Sequence, residues 1–176
     1  MRTLVIGGAR SGKSRAAERL LASAEDVTYV ATAYPAEHDP EWTERVARHR
    51  ARRPSSWTTV ETLDLVGVLG LPGGPLLVDC LTLWLTRVVD RHDGWSDAAW
   101  DSTAGDAVHA DVDALVSAVA GATRDVVLVT NEVGQGIVPE TASGRRFRDE
   151  MGVLNLRVAE ACGDVLWCVA GRTVRL

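Results

Sequence analysis

Short strand-like runs alternate with stretches of helical periodicity along most of the chain. Runs rich in apolar and β-branched residues at 3–6, 27–32, 56–60, 75–79 and 125–130 predict buried strands. Residues 15–21, 41–53, 63–69, 107–120 and 145–161 have helical spacing, and Pro54 ends the second of these helices. Two final runs, 165–169 and 173–176, flank Ala170, Gly171 and Arg172 and predict a terminal hairpin.

This alternation predicts an α/β fold with an open, mostly parallel sheet, helices on both faces and an antiparallel C-terminal edge strand. Ligands bind such sheets beyond the carboxyl ends of the strands. We therefore expect the segments after Gly7, Thr32, Asp79 and Thr130 to share one rim, with Thr32 as a candidate ligand contact. The acidic segment 90–106 has weak periodicity and is compatible with a lid or with a loop that leads into a helix.

A glycine-rich loop follows the first strand directly and has the spacing of a phosphate loop: Gly7, Gly8, Ala9, Arg10, Ser11, Gly12, Lys13 and Ser14. Glycines let backbone N–H groups surround phosphates, and the next helix directs its N-terminal dipole at them. Lys13 would act catalytically as a mobile cation, and Ser14 would offer a hydroxyl ligand to Mg²⁺. The alternative is a turn that binds nothing. The strand–loop–helix context favours a P-loop NTPase-like fold that binds a nucleotide polyphosphate.

Asp79 ends an apolar strand, where a phosphate-loop nucleotide site commonly has its acidic residue. In P-loop proteins an acid at this place holds Mg²⁺ directly or through water. The alternative is a helix cap for the segment from Leu81 onward. We expect the metal role for Asp79, together with Ser14, because the phosphate loop is present.

His49 lies in an arginine-rich helix, among Arg45, Arg48, Arg50, Arg52 and Arg53. Positive neighbours disfavour the imidazolium form, so a ring nitrogen stays available as a nucleophile near neutral pH. The same arginines would neutralise a triphosphate under attack. The alternative is an exposed helix whose histidine ends an apolar stripe that also contains Trp42 and Val46. His38, His92 and His109 have no comparable setting.

Residues 130–139 contain a third candidate functional segment. Asn131 and Glu132 stand at the end of a strand, and Gly134, Gly136 and Pro139 follow them. This composition predicts either a shaped binding loop, in which the backbone approaches a ligand closely, or a structural crossover with helix-capping polar residues.

Composition narrows the possible partners and the compartment. The net charge of −5 argues against a surface that coats nucleic acid. No run approaches the roughly 20 apolar residues of a membrane span, and the first apolar stretch is too short for a signal sequence, so we expect a cytoplasmic protein. The length of 176 residues predicts one domain, 1–176. Cys80, Cys162 and Cys168 have no metal-ligand spacing and are expected to be reduced structural thiols.

Taken together, these motifs resemble the adenosylcobinamide kinase/adenosylcobinamide-phosphate guanylyltransferase family. The resemblance covers essentially the whole chain and includes Arg53-Pro54 with Trp57, the segment 130–139, and Arg146-Phe147-Arg148-Asp149 with Gly152 and Asn155. It implies a bifunctional enzyme that phosphorylates adenosylcobinamide with ATP or GTP. The same enzyme would then transfer GMP from GTP to that phosphate through a histidine–GMP intermediate, with His49 as the nucleophile.

The resemblance also implies a nucleotide site lined by Arg50, Ala51, Arg52 and Arg53, with Glu61 helping to hold GTP. A carboxylate suits guanine because it can accept hydrogen bonds from both N1–H and the 2-amino group. The resemblance also implies that the protein forms a homo-oligomer, namely a trimer. Two other classes of function compete: a monofunctional P-loop small-molecule kinase, which would not need His49, and a nucleotide-sensing module, which would transfer nothing.

Overall fold

The protein is built on one twisted sheet whose strands follow the predicted runs closely. A computed structural model describes residues 1–33 and 40–176, apart from the side chains of residues 40–42, 45 and 49. Its strands are β1 (Arg2–Gly7), β2 (Thr28–Ala31), β3 (Thr58–Glu61), β4 (Leu76–Asp79), β5 (Val126–Asn131), β6 (Asp164–Val169) and β7 (Arg172–Arg175). Its helices are α1 (Lys13–Leu20), α2 (Pro40–Ala51), α3 (Leu65–Gly70), α4 (Leu81–Arg91), α5 (Asp97–Ala99), α6 (Gly105–Gly121) and α7 (Ala142–Ala161).

The strand order is β3-β2-β4-β5-β1-β6-β7, and every neighbouring pair is parallel except β6 and β7. Successive side chains of a strand point to opposite faces of the sheet. Leu128 packs with residues of α4, α6 and α7, whereas its neighbours Val127 and Val129 pack with α1. The prediction of a mostly parallel sheet with helices on both faces and an antiparallel C-terminal edge is therefore confirmed.

The terminal hairpin turns at Ala170 and Gly171, which both have positive φ angles of 49° and 77°. Two consecutive positive φ angles are the geometry of the tight turn that best matches the twist of antiparallel strands. The predicted hairpin is thus present, and its turn lies beside the phosphate loop.

Several helix boundaries differ from the sequence expectation because side chains cap the helices. Helix α3 begins after Asp64, whose carboxylate accepts a 2.8 Å hydrogen bond from Gly67 N–H. Helix α7 begins three residues earlier than predicted because the Thr141 hydroxyl accepts from Gly144 N–H at 3.1 Å. Capping side chains satisfy the first N–H groups of a helix, which have no partner within it.

The acidic segment 90–106 is a helical connection. Helix α4 extends to Arg91, and α5 is followed by a π-helical turn, Trp100–Ala104, that leads directly into α6. Arg146 of α7 donates hydrogen bonds to the carbonyl oxygens of Gly94 and Trp95 and pairs with Asp97. Of the two interpretations left open by the sequence, this arrangement agrees with a loop that leads into a helix. Across the described part of the chain, no helix has both the length and the apolar character needed to cross a bilayer.

The buried centre of the sheet predicts a large stability difference between two leucines. Leu128 on β5 has no exposed surface, whereas Leu156 on α7 is 61% exposed. Leu128→Ala should lower the free energy of unfolding by about 2–5 kcal/mol, because it leaves a cavity in the core, and the matched control Leu156→Ala should change it by less than about 0.5 kcal/mol. Urea titration followed by circular dichroism measures both, and equal losses would contradict the described core.

Candidate nucleotide site

The phosphate loop connects β1 to α1 through two residues with positive φ. Arg10 has φ 57° and Gly12, the residue before α1, has φ 93°. Lys13 Nζ folds back over the loop and donates to the carbonyl oxygen of Gly8 at 3.1 Å. Lys13 therefore lies over the loop, where the motif places the cation that contacts phosphates.

The terminal hairpin supports this loop from behind. Gly171 N–H donates to the carbonyl oxygen of Ser11 at 2.8 Å, and the Cys168 thiol reaches the same oxygen at 3.6 Å. A Cβ on Gly7 would lie 2.5 Å from the carbonyl oxygen of Cys168 and 2.7 Å from Ser11 Oγ. The loop therefore packs against β6 at Gly7, where there is no room for a side chain, and against the hairpin turn at Gly12.

A cavity of about 290 Å³ opens in front of the loop. Its walls bring together seven of the predicted site residues, which come from four separate segments of the chain: Ala9, Lys13, Ser14, Arg50, Arg53, Glu61 and Asp79. They are joined by Asn131, from the segment for which the sequence predicted a possible binding loop, and by seven residues that the sequence did not single out as ligand contacts: Tyr29, Ala31, Ala33, Val46, Thr59, Cys80 and Leu83.

Strand order determines which groups lie at each end of the cavity. Gly7, Asn131 and Asp79 end the neighbouring strands β1, β5 and β4, and Glu61 ends β3 at the far edge of the sheet. The phosphate-loop end therefore contains Lys13, Ser14, Asp79 and Asn131. The opposite end contains Thr59, Glu61, Arg50 and Arg53.

Asp79 is held by a buried tyrosine and does not cap a helix. The Tyr29 hydroxyl donates to Asp79 Oδ2 at 2.9 Å, and the N-cap residue of α4 is Cys80, with no side-chain capping bond. Burial raises the pKa of Tyr29 far above its ordinary value, and the charge and hydrogen bond of Asp79 raise it further. Tyr29 is therefore a permanent donor, and it orients the carboxylate toward the cavity.

Arg53 contacts Tyr29 and so extends the series of contacts that begins at Asp79. Its guanidinium stacks 3.7 Å from the centre of the Tyr29 ring and donates to Thr59 Oγ1 at 3.0 Å. Burial lowers the pKa of Arg53, but a guanidinium starts so high that it stays charged at neutral pH. Together with Arg50, this side chain gives the cavity a positive wall opposite the phosphate loop.

Apart from His49, the remaining predicted residues lie around the cavity and not on its walls. Thr32 is fully buried behind it, where its hydroxyl donates to the carbonyl oxygen of Cys80 at 2.7 Å and accepts from Cys80 N–H at 3.0 Å. Ala51 is exposed, and Arg52 pairs with Glu18 at 3.5 Å. Gly7, Gly8, Arg10, Ser11 and Gly12 form the rest of the loop. His49 belongs to α2 by its backbone, but its side chain lies outside the described part of the chain.

The cysteines are all free, and Cys80 lies on the cavity wall. Burial raises the pKa of its thiol to about 11, and the neighbouring Asp79 adds to the effect. A thiol with this pKa is protonated at neutral pH and is a poor nucleophile. This agrees with a structural role for Cys80.

Residues 130–139 contribute only Asn131 to the cavity. Glu132 Oε1 accepts from Gly134 N–H at 2.5 Å, which shapes the start of the loop, and Arg145 donates to the carbonyl oxygen of Pro139 at 3.0 Å. Ile137, at the tip, is 96% exposed. Hydrogen bonds thus hold the two ends of this loop, and its apolar tip lies in solvent.

Fold and site together define a P-loop nucleotide-binding protein. A solved ATPase from the type III secretion system of pathogenic bacteria has the same fold, with a TM-score of 0.60 and 11% identity. That match covers 94% of this chain and 50% of the ATPase, so the chain spans about half its length.

Sequence comparison gives the family. Residues 3–176 match the model of the family described as cobinamide kinase / cobinamide phosphate guanyltransferase, and the chain belongs to this family. The bifunctional adenosylcobalamin biosynthesis protein CobU of Escherichia coli is 39% identical over 100% of this chain and 99% of its own. The corresponding CobP protein of Pseudomonas aeruginosa is 43% identical over 97% and 94%. The family and enzyme class predicted from the sequence motifs are confirmed.

Crowding at Gly7 generates a prediction for the phosphate loop. Gly7→Ala should weaken GTP binding at least tenfold, because the new Cβ meets a backbone carbonyl and must displace the loop. Gly8→Ala is the matched comparison, since its Cβ would meet nothing within 4 Å, and it should weaken binding much less. Isothermal titration calorimetry with GTP measures both. Equal effects would show that the contact with Cys168 does not determine the loop shape.

Proposed function

We propose that this protein catalyses both reactions named in its family description, using the single cavity described above. It would phosphorylate adenosylcobinamide with ATP or GTP, and then transfer GMP from GTP to the resulting phosphate. The observation that carries the proposal is that one cavity contains two chemically different features. A phosphate loop lies at one end, and an arginine-lined wall next to α2 lies at the other. A plain kinase needs only the first end.

For the kinase step, the proposal assigns the nucleotide phosphates to the loop 7–14 and their charge to Lys13. Ser14 and Asp79 would hold Mg²⁺, which neutralises charge on the phosphates as the phosphoryl group is transferred. The donor set fits this ion, because a hydroxyl and a carboxylate line the same end of the cavity and Mg²⁺ prefers oxygen ligands. The role of Tyr29 is to hold the Asp79 carboxylate in place.

For the guanylyl transfer, the proposal assigns the attack on the α-phosphorus of GTP to a neutral imidazole of His49. A P–N bond forms and the bond to pyrophosphate breaks; the cobinamide phosphate then displaces the histidine and takes the GMP. His49 lies in sequence between Val46 and Arg50, which both line the cavity, and this supports the assignment. Arg50 and Arg53 would stabilise the negative charge of the phosphate oxygens during the attack.

Guanine recognition is assigned to Glu61. Its carboxylate lies at the end of the cavity opposite the phosphate loop, beside the Thr59 hydroxyl. Two acceptor oxygens match the two N–H donors on one edge of guanine, and adenine offers no such pair. Thr32, Ala51 and Arg52 would then act indirectly, by supporting the residues in the wall.

The finer properties expected from the sequence and from the family resemblance belong to the same proposal. They are a single catalytic domain of residues 1–176, a cytoplasmic location, small-molecule partners without nucleic acid, and a homo-oligomer, a trimer.

The two steps predict different requirements for Lys13 and His49. His49→Ala should abolish guanylyl transfer but leave measurable kinase activity, whereas Lys13→Ala should remove both activities, since both need bound triphosphate. The assay incubates each variant with α-phosphate-labelled GTP and separately measures phosphorylation of adenosylcobinamide. Wild-type protein should carry an acid-labile, alkali-stable label on the peptide that contains His49. A label on another residue, or transfer that persists in His49→Ala, would refute the mechanism.

Exchange of the carboxylate at position 79 should separate metal binding from stability. Asp79→Asn keeps the shape but removes a charge, so it should raise the Mg²⁺ concentration needed for half-maximal kinase activity and lower kcat at least tenfold. Tyr29→Phe keeps the carboxylate charge and should have a smaller effect on the Mg²⁺ requirement. Thermal unfolding is the second readout. Normal catalysis with a large fall in the melting temperature of Asp79→Asn would indicate a structural carboxylate.

A further inference from the structure

A partly buried ion pair connects the helix that follows the phosphate loop to the end of α2. Arg52, the first residue after α2, places its Nη2 atom 3.5 Å from Glu18 Oε1 on α1. The Glu18 side chain is only 13% exposed, and its Oε1 atom is buried with no hydrogen-bond partner among the described residues. Arg52 therefore supplies a positive charge that this carboxylate needs, since an unpaired buried charge strongly destabilises a protein.

The pair at Glu18 is a poor means of stabilising the fold. An apolar side chain in its place would avoid the free-energy cost of burying a carboxylate, and exchanges of buried ion pairs for apolar residues are often neutral or stabilising. An ion pair does, however, define how two elements lie relative to each other, because each charge has to stay close to its partner. The pair therefore points to a role in the placement of α2 on α1.

Helix α2 has little apolar packing of its own to hold it in place. Among its residues whose side chains are described, only Val46 is partly buried, and the others are exposed: Thr43, Glu44, Ala47, Arg48, Arg50 and Ala51. Surface helices are usually held by a buried apolar face, and the described part of α2 has almost none. Polar contacts at its C-terminal end therefore have a large share in fixing its position.

Two arginines at this end connect α2 to different parts of the fold. Arg53 stacks on Tyr29 of β2 and donates to Thr59 of β3, so it joins the end of the helix to the sheet. Arg52 joins the same end to α1. Contacts with two separate elements define the orientation of the helix, which one contact alone would leave free to turn.

Helix α1 relates the pair to the phosphate loop, and the last turn of α2 relates it to His49. Helix α1 begins with the lysine of the loop, and Glu18 lies five residues further on, about 7.5 Å along the same helix. His49 precedes Arg52 by three residues, or about one turn. Arg53 N–H donates to the carbonyl oxygen of Arg50 at 3.2 Å, so this turn continues past the end of α2.

We propose that the Glu18–Arg52 ion pair is a positioning pair for guanylyl transfer, which sets the distance between the last turn of α2 and the phosphates held on the loop 7–14. The inference rests on the proposed function, which makes His49 the nucleophile. Reacting atoms have to lie about 3–3.5 Å apart, and a misplacement of about 1 Å can cost about 100-fold in rate. The kinase step takes no nucleophile from α2 and so depends much less on the pair.

The test measures the two steps separately in full-length protein with Glu18→Gln, Arg52→Gln and the double variant. One readout is the rate at which the peptide containing His49 acquires label from saturating α-phosphate-labelled GTP with Mg²⁺. The other is the rate of adenosylcobinamide phosphorylation. Each single variant should lower the labelling rate at least about tenfold and the kinase rate less than about threefold. The double variant should label no more slowly than the slower single variant, since both changes remove one interaction.

Glu44→Gln is the matched control for the change of charge. Glu44 pairs with Arg48 at 3.8 Å within α2, and both side chains are exposed, so this pair does not join the helix to another element. Its loss should leave both rates within about twofold of wild type, because exposed ion pairs contribute little. Thermal unfolding identifies variants that fail to fold. Arg52→Gln, at a side chain that is 36% exposed, still tests the proposal if Glu18→Gln is unstable.

Three results would overturn the inference while leaving the proposed function intact. They are labelling at the wild-type rate in both single variants, an equal loss of the two activities, and losses that add in the double variant. If wild-type protein acquires no label on the peptide that contains His49, the proposed mechanism of guanylyl transfer fails, and the inference fails with it.

Discussion

The parallel pairing of β1 with β5, together with that of β5 with β4, is the constraint on which the rest of the structure depends. Parallel strands end on the same side of a sheet, so this pairing brings Gly7, Asn131 and Asp79 to one rim although more than 120 residues separate the first two. The pairing is stabilised by fully buried aliphatic side chains on both faces. The polar site thus takes its geometry from apolar packing beneath it, since cores of this kind resist deformation.

The site balances charges of both signs in a partly buried place. Asp79, Glu18 and Glu61 are accompanied by Lys13, Arg50, Arg52 and Arg53. Burial raises the pKa of Glu18, and Arg52 opposes that shift. Tyr29 lies between the two signs: its ring contacts Arg53 and its hydroxyl contacts Asp79. A highly charged nucleotide that binds in this cavity therefore meets charged groups that already interact with one another. Removing one partner of a partly buried ion pair leaves the other charge unpaired, which destabilises the site.

The sequence was sufficient for the fold class, the phosphate loop and the family, because these depend on local patterns with fixed spacing. Periodicity located most elements, but it missed the early start of α7, which depends on the Thr141 hydroxyl. Periodicity gave no range for helix α4, because its apolar residues continue those of β4. Tyr29 was hidden for a similar reason: in a β-branched strand an aromatic residue indicates only core. The ion pair of Glu18 with Arg52 joins two segments that are distant in the chain, and no local pattern encodes it.

The hydrogen bond from Gly171 to Ser11 joins two segments that are 160 positions apart in the chain. The hairpin turn contacts the phosphate loop, so a ligand that stabilises the loop also stabilises β6 and β7 at the edge of the sheet. Linkage is reciprocal: local opening of these strands weakens ligand binding by the same free energy by which ligand binding opposes the opening. The outermost strand, exposed along its whole length, is in this sense a reporter of nucleotide occupancy: its amide protons should exchange with solvent more slowly when the loop is filled.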